Sequence, residues 1–461
     1  MPASVCNRMP ETGLVIPRQT AGPSTASPST SSSSPVTRRL PFCKYATDIY
    51  GKMVYPLKKP AGTMVGAAYL NLSGHSMVPG SATLSAGHRQ ILSAISREGP
   101  RSRTELAGLL GLSKASISGL VRDLLEQNIL CEQELIFGIG RPSVSLAVRA
   151  DAASFIGISL QQDPAVLLLT DLHGTVHARL ELPRLSDPDE AVESLANGIQ
   201  SLKKEGGDAA DRLSGIGIAL PGFVSRDRLT CITSTAHGWK NVNIGTALAE
   251  RTGLPTWVEN DANALILGEE LFGPLRGSPD FSMLFVSHGI GCAHIVNGRL
   301  LRGNSGGAGE ISHAPVAIDG FGALPCRCGN KGCLETVSSL LAIGNAARRA
   351  ELPTDIAELA DLAAAGQPDA LSILHQAGSA MGIATAQLIQ MLDPSHVVVM
   401  LDHTLHDSVF GHALMNEAES HILHRTGVKT MIHFRDFAPE GFAAGAASLA
   451  ARYFIFGPEA G

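Results

Sequence analysis

A histidine and three cysteines in the second half of the chain have the spacing of a metal site. Twelve residues separate His313 from Cys326, and Cys328 and Cys333 complete the group. One imidazole and three thiolates suit tetrahedral Zn²⁺, and four protein ligands leave no position open for a substrate. We therefore expect a structural zinc ion. The alternative is a loop that carries three free cysteines.

A carboxylate and an amide stand side by side where a predicted strand meets a predicted helix. Asn260 and Asp261 occupy this junction, and such a pair can hold adjacent hydroxyls of a sugar. Asp261 could also act as a base that deprotonates a hydroxyl. Because Asn and Asp are common helix caps, capping is the alternative interpretation of this pair taken alone.

A third polar group follows the glycine-rich segment 303–309. Its glycines allow the backbone to approach a ligand closely, and Glu310 and His313 then lie three residues apart. If one nitrogen of His313 binds zinc, the other is held in position for a hydroxyl. Glu335 comes soon after the last cysteine and could join the same pocket.

The elements that must position these residues follow an α/β pattern from residue 150 onward. Two successive sets of three strands and a helix predict two similar lobes with a ligand cleft between them. The predicted strands are Phe155–Leu160, Val166–Thr170, Val176–Leu182, Ile216–Leu220, Thr256–Glu259, Met283–Val286, Cys292–Val296 and Val397–Leu401. The predicted helices between them include Pro188–Lys204, Ala262–Leu271, Val337–Arg349 and Ala370–Leu392.

Residues 84–130 predict three helices, of which the last two fit a helix-turn-helix. Ser102 and Glu105 form a capping-box pattern at the start of the second helix, and Ser113 can cap the third. The third helix has an apolar stripe at helical spacing. We expect its polar N-terminal part to enter the major groove of DNA. The side chains that we expect to contact DNA are Lys114, Ser116 and Arg122.

Two short predicted strands, Ile129–Phe137 and Val144–Val148, flank the segment Gly138–Pro142. A glycine-rich hairpin tip with one arginine, Arg141, is typical of a wing that touches phosphate or the minor groove. With the three helices it predicts a winged helix-turn-helix. The alternative is a small helical bundle that only packs against the rest of the protein, with Arg141 solvated.

Charge and composition divide the chain into three predicted parts. Residues 1–80 carry 8 Lys/Arg and 2 Asp/Glu, residues 81–149 carry 8 and 6, and residues 150–461 carry 20 and 34. A body with a net charge of −14 cannot use its general surface to hold DNA, so any DNA contact falls to the N-terminal third.

Residues 1–80 form a Ser/Thr/Pro-rich extension that we expect to be disordered. Two alternatives are open for it: a basic arm that adds non-specific DNA affinity, or in part an overlong start, with Met53, Met64 or Met77 as the first residue. We expect residues 81–149 to form the DNA-binding domain and residues 150–461 the two-lobed domain. No apolar run approaches the roughly 20 residues of a membrane span, and no signal peptide is evident, which predicts a cytoplasmic protein.

In combination these motifs resemble the ROK family of repressors, open reading frames and kinases, over about residues 84–455. The matching segments are Glu259–Asn263, Gly306–His313 and Cys326–Glu335. The resemblance implies an actin-like, hexokinase-like ATPase fold of two lobes and a homodimer or dimer of dimers. It also implies that Asp261 stands at the position of the catalytic base of kinase members, and that His313 and the three cysteines bind zinc. The residues that it implies for sugar hydroxyls are Asn260, Asp261, Glu310, His313 and Glu335.

The departures from the kinase members concern the nucleotide side. Ser159–Asp163 stands where kinases have Asp-x-Gly-Gly-Thr, and Ser287–Gly291 stands where they have Gly-Thr-Gly-Ile-Gly. The adenine-side strand, which normally ends in a Gly-Gly turn, runs into Leu401–His403. Because phosphoryl transfer consists largely of positioning and of stabilising phosphate charge, we expect no kinase activity, and Asp261 becomes a vestigial base that binds sugar.

The sequence therefore predicts a sugar-responsive DNA-binding transcriptional regulator, a repressor of carbohydrate-utilisation genes, whose partners are operator DNA and a sugar or sugar derivative. Two alternatives remain: an ATP-dependent sugar kinase with an added DNA-binding domain, and a DNA-binding regulator that answers to a partner protein instead of a sugar.

Overall fold

A computed structural model describes residues 84–136, 143–316, 324–423 and 429–457. Three helices and a small antiparallel sheet come first. These elements are α1 (Ala86–Glu98), β1 (Arg101–Ser102), α2 (Arg103–Leu110), α3 (Lys114–Glu126), β2 (Leu130–Ile136) and β3 (Ser143–Val148). The three strands pair in the order β1-β3-β2.

Side-chain caps set the limits of these helices. Ser102 accepts a hydrogen bond from the backbone N–H of Glu105, and the Glu105 carboxylate accepts one from the backbone N–H of Ser102, which is the reciprocal box that the sequence predicts. Gly111 ends α2 in the left-handed conformation, and Ser113 caps α3. The two helices are therefore joined by a short turn of fixed geometry.

Two five-stranded sheets with corresponding strand orders follow, β11-β7-β4-β5-β6 and β14-β13-β12-β15-β16. Each has one antiparallel three-strand run and two further strands in parallel, which is the pattern of two similar lobes that the sequence predicts. A fourth sheet, of three short strands, has the order β10-β9-β8.

The strands of the first lobe are β4 (Ser154–Ser159), β5 (Ala165–Asp171), β6 (Val176–Leu182), β7 (Leu213–Leu220), β8 (Phe223–Val224), β9 (Cys231–Ser234), β10 (Trp239–Val242) and β11 (Thr256–Asn260). Those of the second are β12 (Phe281–Val286), β13 (Ile290–Val296), β14 (Arg299–Leu300), β15 (His396–Leu401) and β16 (Met431–Asp436). The remaining helices are α4 (Pro188–Glu205), α5 (Ile244–Thr252), α6 (Asp261–Phe272), α7 (Glu335–Ser338), α8 (Leu340–Arg349), α9 (Ile356–Ala364), α10 (Pro368–Leu392), α11 (Val409–His421) and α12 (Gly441–Phe456).

Helices α6 and α12 lie between the two main sheets. Helix α12 packs on β4 and β7, α6 packs on β12 and β13, and the two helices pack on each other. Glycines make this contact close, since a Cβ on Gly157 or Gly217 would lie 1.8 Å from a backbone oxygen of α12. The layers are therefore sheet, α12, α6 and sheet.

One apolar core joins the three N-terminal helices to this central layer. Ile95 of α1, Val121 of α3, Leu271 of α6 and Ile455 of α12 are all buried members of it. The N-terminal helices therefore pack directly against the α/β body.

The predicted helix Val337–Arg349 is wrong as a single element. Ser339 interrupts it, with extended backbone and a side chain that caps α8 by accepting the N–H of Ala342. The predicted contact Arg141, the extension 1–80 and most of the segment between His313 and Cys326 lie outside the described residues. Among the helices that the structure describes, none is both long and apolar enough to cross a membrane.

Candidate functional site

The carboxyl ends of the parallel strands β7 and β11 position the first part of the site. Asn260 ends β11 and caps α6, with its side-chain oxygen accepting the N–H of Asn263 at 3.2 Å. Its amide nitrogen donates to the carbonyl of Gly222, which follows β7, at 3.2 Å. The helix-capping alternative is thus part of the geometry of Asn260, and capping fixes the direction of this side chain.

Asp261 follows in the first turn of α6, where burial is nearly complete. Its carboxylate accepts the N–H of Ala262 at 2.8 Å. Burial raises the pKa of Asp261 to about 6, and the negative charge of Glu310 adds to the rise. A buried carboxylate with few donors around it can accept hydrogen bonds from ligand hydroxyls.

Glu310, His313 and Glu335 come together from two loops of the second lobe. Nε2 of His313 lies 3.9 Å from Glu310 Oε2, and its Nδ1 lies 3.8 Å from Glu335 Oε2. Burial raises the pKa of Glu310, and the charge of Glu335 adds to this. Oε2 of Glu335 is buried without a hydrogen-bond partner, although Arg327 pairs with the other oxygen at 2.8 Å. These polar atoms are therefore available to a ligand.

The four predicted metal ligands lie within 4.8 Å of one another, so the cluster can hold a metal ion. Tetrahedral zinc, with Zn–S of about 2.3 Å and Zn–N of about 2.0 Å, implies ligand separations of about 3.8 Å between sulfurs and about 3.6 Å between sulfur and nitrogen. Cys328 Sγ lies 3.7 Å from Cys333 Sγ, and Cys326 Sγ lies 3.6 Å from His313 Nδ1. The donor atoms and their separations fit zinc.

The protonation of the thiols fits a site that releases protons as it binds metal. Burial and neighbouring sulfurs raise the pKa of Cys333 to about 12, whereas the backbone N–H of Asn330 lowers the pKa of Cys328. A bound metal ion favours the thiolate form of both. His313 then links the metal cluster to the carboxylates of Glu310 and Glu335.

Two arginines behind Asn260, both of which pair with Glu259, were missed in the sequence. Glu259 is almost fully buried and accepts hydrogen bonds from Arg228 at 2.9 Å and from Arg302 at 2.8 and 3.0 Å. It also accepts from Asn263 at 3.0 Å. Glu259 belongs to a recognised motif, but nothing in the spacing of Arg228 or Arg302 indicates that they meet it.

The loop after β12 belongs to the segment Ser287–Gly291, which stands where the kinase members have their second phosphate loop. A Cβ on Gly289 would lie 3.3 Å from the Arg327 guanidinium and 3.6 Å from Glu335 Oε1. The loop therefore adjoins the metal cluster and the site carboxylates.

The predicted DNA contacts on α3 are on its exposed side. Lys114 is the first residue of the helix, and Ser116 is held at 2.9 Å from the hydroxyl of Ser113. Arg122 is 71% exposed and lies 3.9 Å from the carboxylates of both Asp123 and Glu126. Such exposed pairs are weak, so the Arg122 guanidinium can exchange partners.

Comparisons with known proteins agree on one family. Residues 155–453 match the family model described as "ROK family". The chain is 30% identical over 315 residues to the xylose repressor of Bacillus spizizenii, covering 67% of this chain and 80% of that protein. It is 29% identical over 320 residues to the DNA-binding transcriptional repressor Mlc of Escherichia coli, covering 66% and 78%.

Solved structures give the same result. A ROK family transcriptional regulator described as a homologue of the E. coli Mlc protein superimposes with a TM-score of 0.69 at 26% identity, over 81% of this chain and 96% of that chain. A ROK family glucokinase from Streptomyces griseus shares the fold, with a TM-score of 0.55 at 21% identity, over 64% and 99%.

Proposed function

Because the chain belongs to the ROK family, we propose that it is a sugar-responsive DNA-binding transcriptional regulator that represses carbohydrate-utilisation genes in the cytoplasm. The observation that carries this proposal is the superposition on a ROK family transcriptional regulator over 81% of this chain, which is more than the α/β body alone. The 30% identity to a xylose repressor supports it. The kinase alternative lacks such support. Ser159–Asp163 stands where kinase members have the phosphate turn of the first lobe. Without that turn, Asp261 has no phosphoryl group toward which it could direct a hydroxyl.

The proposed ligand is a sugar or sugar derivative bound between the lobes. Asn260 and Asp261 come from the first lobe's sheet edge, and Glu310, His313 and Glu335 from the second lobe. Carboxylates in partly buried positions accept hydroxyl hydrogens strongly because charge-assisted hydrogen bonds are stronger than neutral ones. The names of two relatives and of a similar ROK hexokinase suggest xylose, N-acetylglucosamine and a hexose as the first ligands to test.

The proposed DNA-binding domain is a winged helix-turn-helix of residues 81–149, after the Ser/Thr/Pro-rich extension of residues 1–80 and before the sugar-binding domain of residues 150–461. Helix α3 would enter the major groove with Lys114, Ser116 and Arg122, and Arg141 would contact DNA from the wing. A homodimer or dimer of dimers would place two such helices on half-sites about one helical turn apart. A sugar that changes their separation changes operator affinity.

The metal in the proposed site is a structural zinc ion held by His313, Cys326, Cys328 and Cys333. The zinc ion would hold the loop that leads to Glu335 and would orient His313 toward the sugar. Cys326→Ser should remove the metal and lower sugar affinity at least tenfold, measured by elemental analysis and calorimetry. Cys131→Ser, outside the cluster, should keep both. A Cys326→Ser protein with a full metal content would contradict this assignment.

The test of the function is fluorescence anisotropy of the full chain on DNA selected by the protein from a random library, at fixed salt. D-xylose, D-glucose and N-acetylglucosamine are titrated as probes. We expect one of them to change DNA affinity tenfold or more, and Arg122→Ala to lose tight binding. If the affinity for the selected DNA is unchanged by all three sugars, control by a partner protein is supported instead. If the protein selects no DNA, the proposal is contradicted.

A further inference from the structure

The last turn of α12 is held by α1. One guanidinium nitrogen of Arg89, on α1, donates to the backbone carbonyls of Tyr453 at 2.8 Å and Phe454 at 2.6 Å. These carbonyls belong to the final helical turn, which carries the negative end of the helix dipole. The carbonyl of Tyr453 also accepts the N–H of the cap residue Gly457 at 3.0 Å, so Arg89 is its second donor. Gly457 ends α12 with φ of 83°, and a Cβ there would lie 3.0 Å from the Arg89 side chain. Arg89 is thus fitted to this helix end.

The same turn is joined to α6 by a buried ion pair. Arg452 of α12 pairs with Glu270 of α6, and both side chains are almost fully buried. The Arg452 guanidinium also lies 5.0 Å from the centre of the Phe456 ring, and that of Arg97, from α1, lies 5.1 Å from it. Phe456 therefore contacts one cation from each side of the junction, at distances typical of cation–π interactions.

Two routes lead from this turn to the sugar site. Helix α6 begins at Asp261 and carries Glu270 nine residues, or about 13 Å, further along. The second route has fewer steps. Glu259, next to Asn260, pairs with Arg228, and the Arg228 guanidinium is close enough to the Tyr453 side chain for the two groups to shift each other's pKa. The carbonyl of that tyrosine is one of the two that Arg89 binds.

The junction has room to change. A cavity of about 280 Å³ lies beside the contact, and its lining includes Ile95 of α1, Phe272 of α6 and Ile455 of α12. Close-packed interfaces resist displacement, whereas a cavity of this size lets α1 shift against the central layer. Because α1 and α3 share one apolar core, such a shift moves α3 as well.

We propose that the last turn of α12, residues 452–456, is the element through which the sugar site controls the position of α1 and α3. Arg89 and the Glu270–Arg452 pair are positioning residues for DNA binding. The inference rests on the proposed function and adds the route by which a sugar acts on DNA affinity. It requires that both sites bias one shared element.

Arg89→Met tests this route because it removes both hydrogen bonds and keeps an apolar side chain of similar length. Arg251→Met, at an exposed arginine of α5 that pairs with Glu193, is the matched control. For each full-length protein, the ratio of DNA dissociation constants with and without the active sugar is measured by anisotropy, with D-xylose, D-glucose and N-acetylglucosamine as probes. Sugar affinity is measured separately by calorimetry.

We expect Arg89→Met to bind sugar within twofold of the wild type but to lose at least threefold of the DNA affinity ratio, while Arg251→Met keeps both. A purely structural role would lower sugar affinity and DNA affinity together. An Arg89→Met ratio within threefold of the wild-type ratio would overturn the route alone. If no sugar changes the DNA affinity of the wild-type protein, the proposed function is overturned and, with it, the route.

Hydrogen exchange on the wild type keeps the test decisive if Arg89→Met fails to fold. Saturating sugar should change the exchange rates of backbone amides in Ala86–Glu98 and in residues 452–457 at least threefold. Exchange in α4, on the far face of the first sheet, should stay constant. Changes confined to the sugar site, with none in α1, would overturn the proposal.

Discussion

Glu259 is a buried carboxylate that holds together the charged groups behind Asn260. Its carboxylate lies between two arginines, with a side-chain exposure of 2% against 9% for Arg228 and 14% for Arg302. Burial lowers the pKa of Arg228, as expected for a cation removed from water. The carboxylate is what compensates both charges, and it also holds the amide of Asn263.

Glu259→Gln should therefore lower the free energy of unfolding by about 3–5 kcal/mol, because it leaves two buried cations uncompensated. Urea unfolding monitored by circular dichroism measures this. Glu193→Gln removes an exposed partner of Arg251 and should leave the free energy of unfolding nearly unchanged. Equal effects of the two changes would contradict the role assigned to the buried carboxylate.

Asp261 has the opposite character, since the fold disfavours its charge. Its pKa in the folded protein is about 6, above the ordinary aspartate pKa of 3.8. The folded state therefore holds the proton more tightly, and stability falls as pH rises from about 4 to about 6. Asp261→Asn should stabilise the ligand-free protein at pH 7.5 by up to about 3 kcal/mol, with little effect at pH 4.

Thermal unfolding at the two pH values, in the absence of sugar, measures this difference. Asp208→Asn, at an exposed position, should change nothing. The same Asp261→Asn variant should bind sugar at least tenfold more weakly. If Asp261→Asn is less stable than the wild type at pH 7.5, the fold does not disfavour the charge of this carboxylate.

At the scale of elements, local sequence signals predicted the helices that have caps and one apolar face. Ser102 and Ser113 mark real helix starts, and the strand Val176–Leu182 is confirmed at both ends. Helix α12 was missed because it is buried on nearly all sides: Ala443, Ala446 and Ala450 are all fully buried, so no polar face reveals the helical period. Its contacts decide its structure, and contacts are not visible in spacing.

The close approach of α6 and α12 depends on small residues. A Cβ on Gly445 would lie 2.3 Å from the carbonyl oxygen of Ala264 in α6. Gly445→Ala should therefore destabilise the protein by about 1–3 kcal/mol, the usual cost of overpacking. Gly108→Ala on α2, where a Cβ meets nothing within 4 Å, should instead stabilise by up to about 1 kcal/mol. Denaturant unfolding of both variants distinguishes them, and a neutral Gly445→Ala would contradict the packing described.

The candidate site divides in a similar way between what spacing reveals and what it conceals. The metal cluster was predictable because its ligands are close in sequence and chemically unambiguous. The pairing of Arg228 and Arg302 with Glu259 joins residues 31 and 43 positions apart, and no local pattern records such a contact. The contact of Arg89 with Tyr453 spans 364 positions.

At the scale of the whole molecule, charge is divided between a slightly basic N-terminal part and an acidic body. DNA affinity should therefore fall steeply with salt, since each neutralised phosphate contributes about 0.9 to the slope of log affinity against log salt. Lys114→Ala and Arg122→Ala should each lower this slope by about 1, and Arg251→Ala should leave it unchanged. Slopes that are unchanged in both variants of α3 would place the DNA contacts elsewhere.

The shared core of the N-terminal helices and α12 has a consequence for the order of synthesis. Ala447, Ala450, Ala451 and Ile455 complete the core in which α1, α2 and α3 are buried, yet they leave the ribosome roughly 320 residues after α3. At about 5–20 residues per second, the nascent N-terminal helices wait tens of seconds with part of their apolar surface exposed. A ribosome-bound chain therefore completes this core only after the α/β body has been made, and a truncated chain should keep part of the apolar surface of α1, α2 and α3 exposed to water.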